Sequence, residues 1–107
     1  MRAWQIISSG GIDALRLTDV EIPKPAQGQV RVKIEASSLN YRDLLMIEDP
    51  IGRHLQLPRV PNSDASGTIT AVGSGVKSLR EGDRVASCFF SSWVDGVITH
   101  AAMSSAL

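Results

Sequence analysis

PRVPNSDASGTITAVGSGVKSLREGDRV, from Pro58 to Val85, is the stretch on which the fold turns. Strand signals run from Ser66 to Val72 and again from Asp83 to Phe90. Between them stand Gly73-Ser74-Gly75 and Arg80-Glu81-Gly82, both good turn chemistry, because glycine reaches backbone conformations closed to other residues. The glycine pair invites comparison with a dinucleotide-binding turn. That motif needs a third glycine where this chain has Ser78, and a helix opening directly after the turn. Only about seven residues, Val76 to Gly82, precede the next strand, too few for a helix that could present its N-terminus to a pyrophosphate. The glycines are therefore read as a β-turn.

Working upstream, Glu48 to Pro61 holds three prolines and a glycine and is read as a loop. Before it, Ser38 or Asn40 is placed to cap a short helix through Tyr41 to Ile47, since Ser and Asn side chains accept from the orphan N–H groups of a first turn. The first third reads as strands: Met1 to Ile7, then Leu15 to Ile22 after the turn signal Ser9 to Asp13, then Gln29 to Ser37 after PKPAQG. In the third strand Val30, Val32, Ile34 and Ala36 share one face while Arg31, Lys33 and Glu35 share the other, the period of a half-buried strand. Several short strands joined by turns favour a small antiparallel barrel. At the far end Thr99 is a possible cap for a helix running to Leu107, which would need something to pack against.

At 107 residues, the chain is long enough for one domain with one core, burying only roughly two-thirds of its unfolded surface. Eleven basic side chains balance eleven acidic ones and are scattered among them, so no nucleic-acid partner is expected. No apolar run approaches a membrane span and the N-terminus lacks the blocks of a secretory signal, so no membrane partner and a cytoplasmic location are expected. The single cysteine, Cys88, lies in the apolar run VASCFF and is expected to be a buried, inert thiol. Cys88, His54 and His100 show no spacing typical of a zinc site, and no metal is expected. Asp83 in EGDRV is read as an acid that accepts local backbone N–H groups and fixes a turn. Asn40-Tyr41-Arg42-Asp43 is different: four hydrogen-bonding side chains follow directly on an apolar strand, at a strand-to-helix junction where functional groups are often placed.

Together, ASSLNYRDLLM, PRVPNSDASGTITAVGSGV and EGDRV, in this order and spacing, resemble the N-terminal GroES-like domain of the medium-chain dehydrogenase/reductase superfamily. The resemblance covers nearly all of the chain and implies a mainly β fold, a GroES-like, partly open antiparallel β-barrel with one or two short helices. In the zinc alcohol dehydrogenases of that superfamily a cysteine stands at the position of Asn40, and Gly-His-Glu stands at Asn62-Ser63-Asp64. This chain therefore looks like the zinc-free branch, the quinone oxidoreductase and enoyl or acryloyl reductase group.

The resemblance implies hydride transfer from NADPH or NADH to a quinone, enone or aldehyde-like acceptor. It makes Asn40 and Tyr41 the leading catalytic candidates, with Asp64 orienting neighbouring polar groups. Tyr41 and Arg42 are the candidates for cofactor contact, and Phe89, Phe90 and Trp93 for the wall of an apolar acceptor pocket. Family members continue into a dinucleotide-binding Rossmann domain that is absent before Leu107. The chain is accordingly read as a substrate-side domain truncated at its C-terminus, with no cofactor bound to it alone, catalytically silent, and able to form a homo-oligomer through an exposed interdomain face. The competing reading is a free-standing barrel used for binding or assembly.

Overall fold

The computed structural model describes residues 1–106. Its elements are strands β1 (Arg2–Ile6), β2 (Leu15–Asp19), β3 (Val30–Ser37), β4 (Ala65–Val72) and β5 (Arg84–Ala86), with helices α1 (Tyr41–Glu48) and α2 (His100–Met103). They fall into two compact units, one made of Met1–Ile22 and Leu39–Asn62, the other of Pro23–Ser38 and the chain from Ser63 onward. The fold is mainly β, and both of its antiparallel sheets are open rather than closed into a barrel.

In the first unit β1 pairs with β2, Ile6 opposite Leu15 and Arg2 opposite Asp19. The expected turn between them is a short 3-10 helix, Gly11–Ala14, entered through Gly10 and Gly11 at φ 137° and 65°. Glycine is needed there because side chains clash in that region. β2 stops at Asp19, short of the expected Ile22, because Asp19 pairs with Arg2, the first residue of β1, and the Val20 N–H takes the Met1 carbonyl beyond it. Ile6, 1% exposed, anchors this unit with Ala14, and Arg59 closes a bridge onto Ile6 with hydrogen bonds of 2.8 and 3.1 Å. Burying an isoleucine of this kind is worth about 1.5–3 kcal/mol. The proline-bearing segment after α1 is a loop as expected, its turn held by the Asp49 carboxylate accepting from the Gly52 N–H at 2.9 Å.

In the second unit β4 is the central strand, flanked by β3 and β5. Its Ile69, 1% exposed, is the core. Gly67 stands opposite Ile34 on one side and Val85 on the other, and a Cβ on it would collide with the Lys33 carbonyl oxygen. The simple alternation expected of β3 is broken by register shifts at Arg31/Val32 and Ile34/Ala36, and Ile34 is exposed. Val30, Val32, Ile34, Leu79 and Val85 line an open, largely apolar groove of about 420 Å³.

Gly73-Ser74-Gly75 forms the expected turn, with Gly75 at φ 83°, the Gly73 N–H bonded to the Gln29 carbonyl at 2.8 Å and no helix opening behind it. β5 covers three residues instead of the expected Asp83 to Phe90. Its partner β4 begins at Ala65, and beyond Ala86 the Ser87 N–H and hydroxyl bond Ala65 and Ser63 across the strand end. Past that point the chain leaves the sheet, so Cys88 is exposed, not buried. Thr99 does cap α2, accepting from the Ala102 N–H at 3.2 Å, but the helix ends at Met103 and Leu107 lies outside the described residues.

Candidate functional site

The strand-to-helix junction of the first unit is built by a reciprocal cap. Asn40 is extended, at φ −120° and ψ 156°, and is the N-cap of α1. The Asp43 carboxylate, three residues on, accepts from the Asn40 backbone N–H at 2.8 Å, and the Asp43 N–H donates to the Asn40 carbonyl at 2.9 Å. This closes two of the donors that a helix start leaves open and sets a negative charge where the helix dipole favours it. Tyr41, the first residue of the helix, is 75% exposed, and Arg42 beside it is half-buried. Asp43 is 3% exposed, and its Oδ1 is buried with no hydrogen-bond partner among the described residues. An unpaired buried acceptor of this kind costs about 1–3 kcal/mol.

The second unit carries Asp64 at the edge of an open cleft of about 450 Å³ lined by Ala36, Ser37, Ser38, Asp64, Ala65, Ser66, Ala86 and Ser87. The Ser38 hydroxyl donates to Asp64 Oδ2 and the Ser63 hydroxyl to Oδ1, both at 3.4 Å, while Ser37 donates to the Asp64 carbonyl at 2.7 Å. Ser63 is buried, and the carboxylate therefore faces hydroxyl donors on both oxygens. Hydroxyls of this kind can donate to a carbonyl or to a developing oxyanion, and they are poor metal ligands.

The structure thus groups Asn40, Tyr41 and Arg42 at the start of α1, Asn40 as its cap, and places Asp64 in the other unit among serines. Phe89, Phe90 and Trp93 do form a cluster, with edge-on ring pairs at 4.7 and 6.2 Å, and the Trp93 indole N–H bonds the carbonyls of Asp95 and Gly96 at 3.2 Å. They stand at the start of a loop whose neck is closed by a bridge between Phe90 and Ala106, not in the lining of the Asp64 cleft. The sequence gives no site role to Ser37, Ser63 or Ser87 and offers Ser38 only as an alternative helix cap, a place that Asn40 takes; isolated serines carry no spacing signal. Asp43 stands in the sequence only as one of four hydrogen-bonding side chains at the junction; its part in the cap is shown by the structure, although Asn followed three residues later by an acid is the outline that could have pointed to it.

With this geometry in place, the chain belongs to the alcohol dehydrogenase GroES-like domain family, which matches residues 26–102. It is a member of the medium-chain dehydrogenase/reductase superfamily. It is 43% identical over 98 residues to a zinc-type alcohol dehydrogenase-like protein of Schizosaccharomyces pombe, covering 91% of this chain and 28% of that protein. A crystal structure of a putative alcohol dehydrogenase from Sinorhizobium meliloti 1021 superposes with a TM-score of 0.81 at 40% identity, over 90% of this chain and 28% of the other. Escherichia coli quinone oxidoreductase, solved in complex with NADPH, superposes with a TM-score of 0.72 at 27% identity, over 80% of this chain and 26% of the other. The chain thus spans less than a third of the length of these relatives.

The zinc in the first relative's name does not fit the donor set of this chain. Asn40 offers a carboxamide and Ser63 a buried hydroxyl, and among the described residues no three His, Cys, Asp or Glu side chains come together.

Proposed function

We propose that this chain is the substrate-side catalytic domain of a zinc-independent, cytoplasmic oxidoreductase that reduces a quinone, enone or aldehyde-like acceptor with NADPH or NADH. The observation that carries the reading is the capped junction, which holds the exposed phenol of Tyr41 on the first turn of α1 within a domain whose relatives include an NADPH-bound quinone oxidoreductase. A bound nicotinamide supplies the hydride. Tyr41 donates its phenolic hydrogen bond to the acceptor oxygen as negative charge develops there, the Asn40 carboxamide offers a further donor at the same junction, and Asp64 orients the serine hydroxyls of its cleft. Arg42 is the side chain on α1 with a charge suited to a cofactor phosphate. The Gly73-Ser74-Gly75 turn opens no helix, so the pyrophosphate is held outside this chain, and the chain alone is inactive.

The test is NADPH oxidation by a version of the protein extended past Leu107 into a nicotinamide-binding domain, offered a quinone, an enone and an aldehyde, with the 107-residue chain alongside. Turnover by the extended protein only is expected. An extended protein that turns over none of the three acceptors, or a short chain that turns over any, sinks the reading. The open apolar groove of the second unit favours a second reading, association of this chain with a copy of itself without catalysis. A sedimentation series that stays monomeric at high concentration removes it.

A further inference from the structure

Asp43 is the most deeply buried carboxylate among the described residues, and it is satisfied on one side only. Oδ2 takes the Asn40 N–H at 2.8 Å, while Oδ1 is enclosed without a donor. A cap alone does not require this. A serine or threonine at the same helix position, or a longer acid reaching back from the surface, would meet the Asn40 N–H without burying a second acceptor. Polar groups left unsatisfied inside a fold concentrate where function overrides local stability.

From this we infer that Asp43 is a positioning residue: it fixes Asn40 and Tyr41 in the geometry the reaction uses, and does so by pulling the backbone of the junction inward against the cost of its buried Oδ1. The inference rests on the oxidoreductase reading for its functional half and on the structure alone for its geometric half. Asp43 touches neither acceptor nor cofactor in this role. It acts through the Asn40 N–H, and through that bond on the only tyrosine of the chain, one residue further on. That single tyrosine makes the position of Tyr41 directly readable.

The experiment compares wild type, Asp43→Ala and Asp43→Asn by NMR on the 107-residue chain and by kinetics on the extended protein. Asp43→Ala is expected to speed hydrogen exchange of the Asn40 amide by tenfold or more and to narrow the Tyr41 ring signals, with the amides of β4 unchanged. Asp43→Asn, whose carboxamide oxygen can still accept, restores slow exchange. In the extended protein Asp43→Ala lowers kcat while the KM for NADPH holds, and Asp43→Asn recovers kcat. Should Asp43→Ala leave Asn40 exchange unchanged, or loosen β4 equally, the geometric half is overturned. If it frees Asn40 and leaves kcat intact, the functional half is overturned. An extended wild-type protein with no turnover defeats the oxidoreductase reading and with it the functional half, while Asn40 exchange still decides the geometric half.

Discussion

Gly67 lies against the backbone of Lys33 so closely that a methyl group in place of its hydrogen would overlap the Lys33 carbonyl oxygen. The obstacle is backbone on a paired strand, which cannot swing aside as a flexible side chain would. Gly67→Ala is therefore expected to destabilise the chain by about 2 kcal/mol or more, as overpacking in a closed site does. At roughly 4–8 °C per kcal/mol for a domain near this size, the melting temperature falls by about 10 °C. Thermal unfolding followed by circular dichroism measures it, and a variant that melts with wild type shows that β3 and β4 are not so tightly apposed.

Asp83 and Arg80 separate two effects that coincide in the same turn. The Asp83 carboxylate accepts from the Arg80 N–H at 3.0 Å and also pairs with the Arg80 guanidinium at 3.4 Å, where the arginine side chain is 89% exposed. An exposed pair contributes little, roughly 0–1 kcal/mol, and salt screens it. Arg80→Ala and Asp83→Asn are expected within about 0.5 kcal/mol of wild type in urea unfolding, whereas Asp83→Ala, which loses the backbone acceptor, costs about 1 kcal/mol. Equal losses in all three variants would instead make the ion pair the larger contribution.

Tyr41→Phe removes one oxygen from an exposed position. Stability is expected to be unchanged, because little packing is lost at a side chain that is three-quarters exposed. In the extended protein kcat is expected to fall about 100-fold, the usual effect of deleting a donor aimed at a developing oxyanion. Full activity in this variant would remove Tyr41 from the chemistry.

NADPH supplies a readout that does not depend on knowing the acceptor. A ligand at 100 times its dissociation constant adds about 2.7 kcal/mol of stability to the form that binds it. The extended protein is expected to melt several degrees higher with NADPH, and the 107-residue chain to melt unchanged. An equal shift in both places a complete cofactor site within this chain.

Cys88 is exposed beyond the end of β5, so a thiol reagent is expected to label the native chain to one equivalent without denaturant. Labelling that waits on unfolding would restore the buried thiol that the sequence suggested.

The sequence carried most of the element order because local chemistry wrote it. Alternation marked β3, Asn40 and Thr99 marked helix starts, and glycines marked the turn at Ser74. It failed where a neighbour in space decides. The run from Val85 to Phe90 has the composition of a continuing strand, but β4 begins at Ala65, next to the Ser66–Ala86 pair, and a strand without a partner does not persist. Cys88 followed that error to the wrong side of the surface. The site divides along the same line: Asn40, Tyr41 and Asp43 stand together in one short segment, while the hydroxyls around Asp64 come from three separated strand ends.

The closed neck between Phe90 and Ala106 bears on how such a chain can diversify. Ser91 and Ser92 bond Ser105 across it, so the loop is tied off at its base and its contour no longer reports to the sheet. Doubling the length of a tied loop costs only about 0.6 kcal/mol in closure entropy. Insertions and deletions between Val94 and Val97 are close to thermodynamically silent, which makes that exposed stretch the one an engineer can rewrite first while leaving the Trp93 ring contact and the Thr99 cap in place.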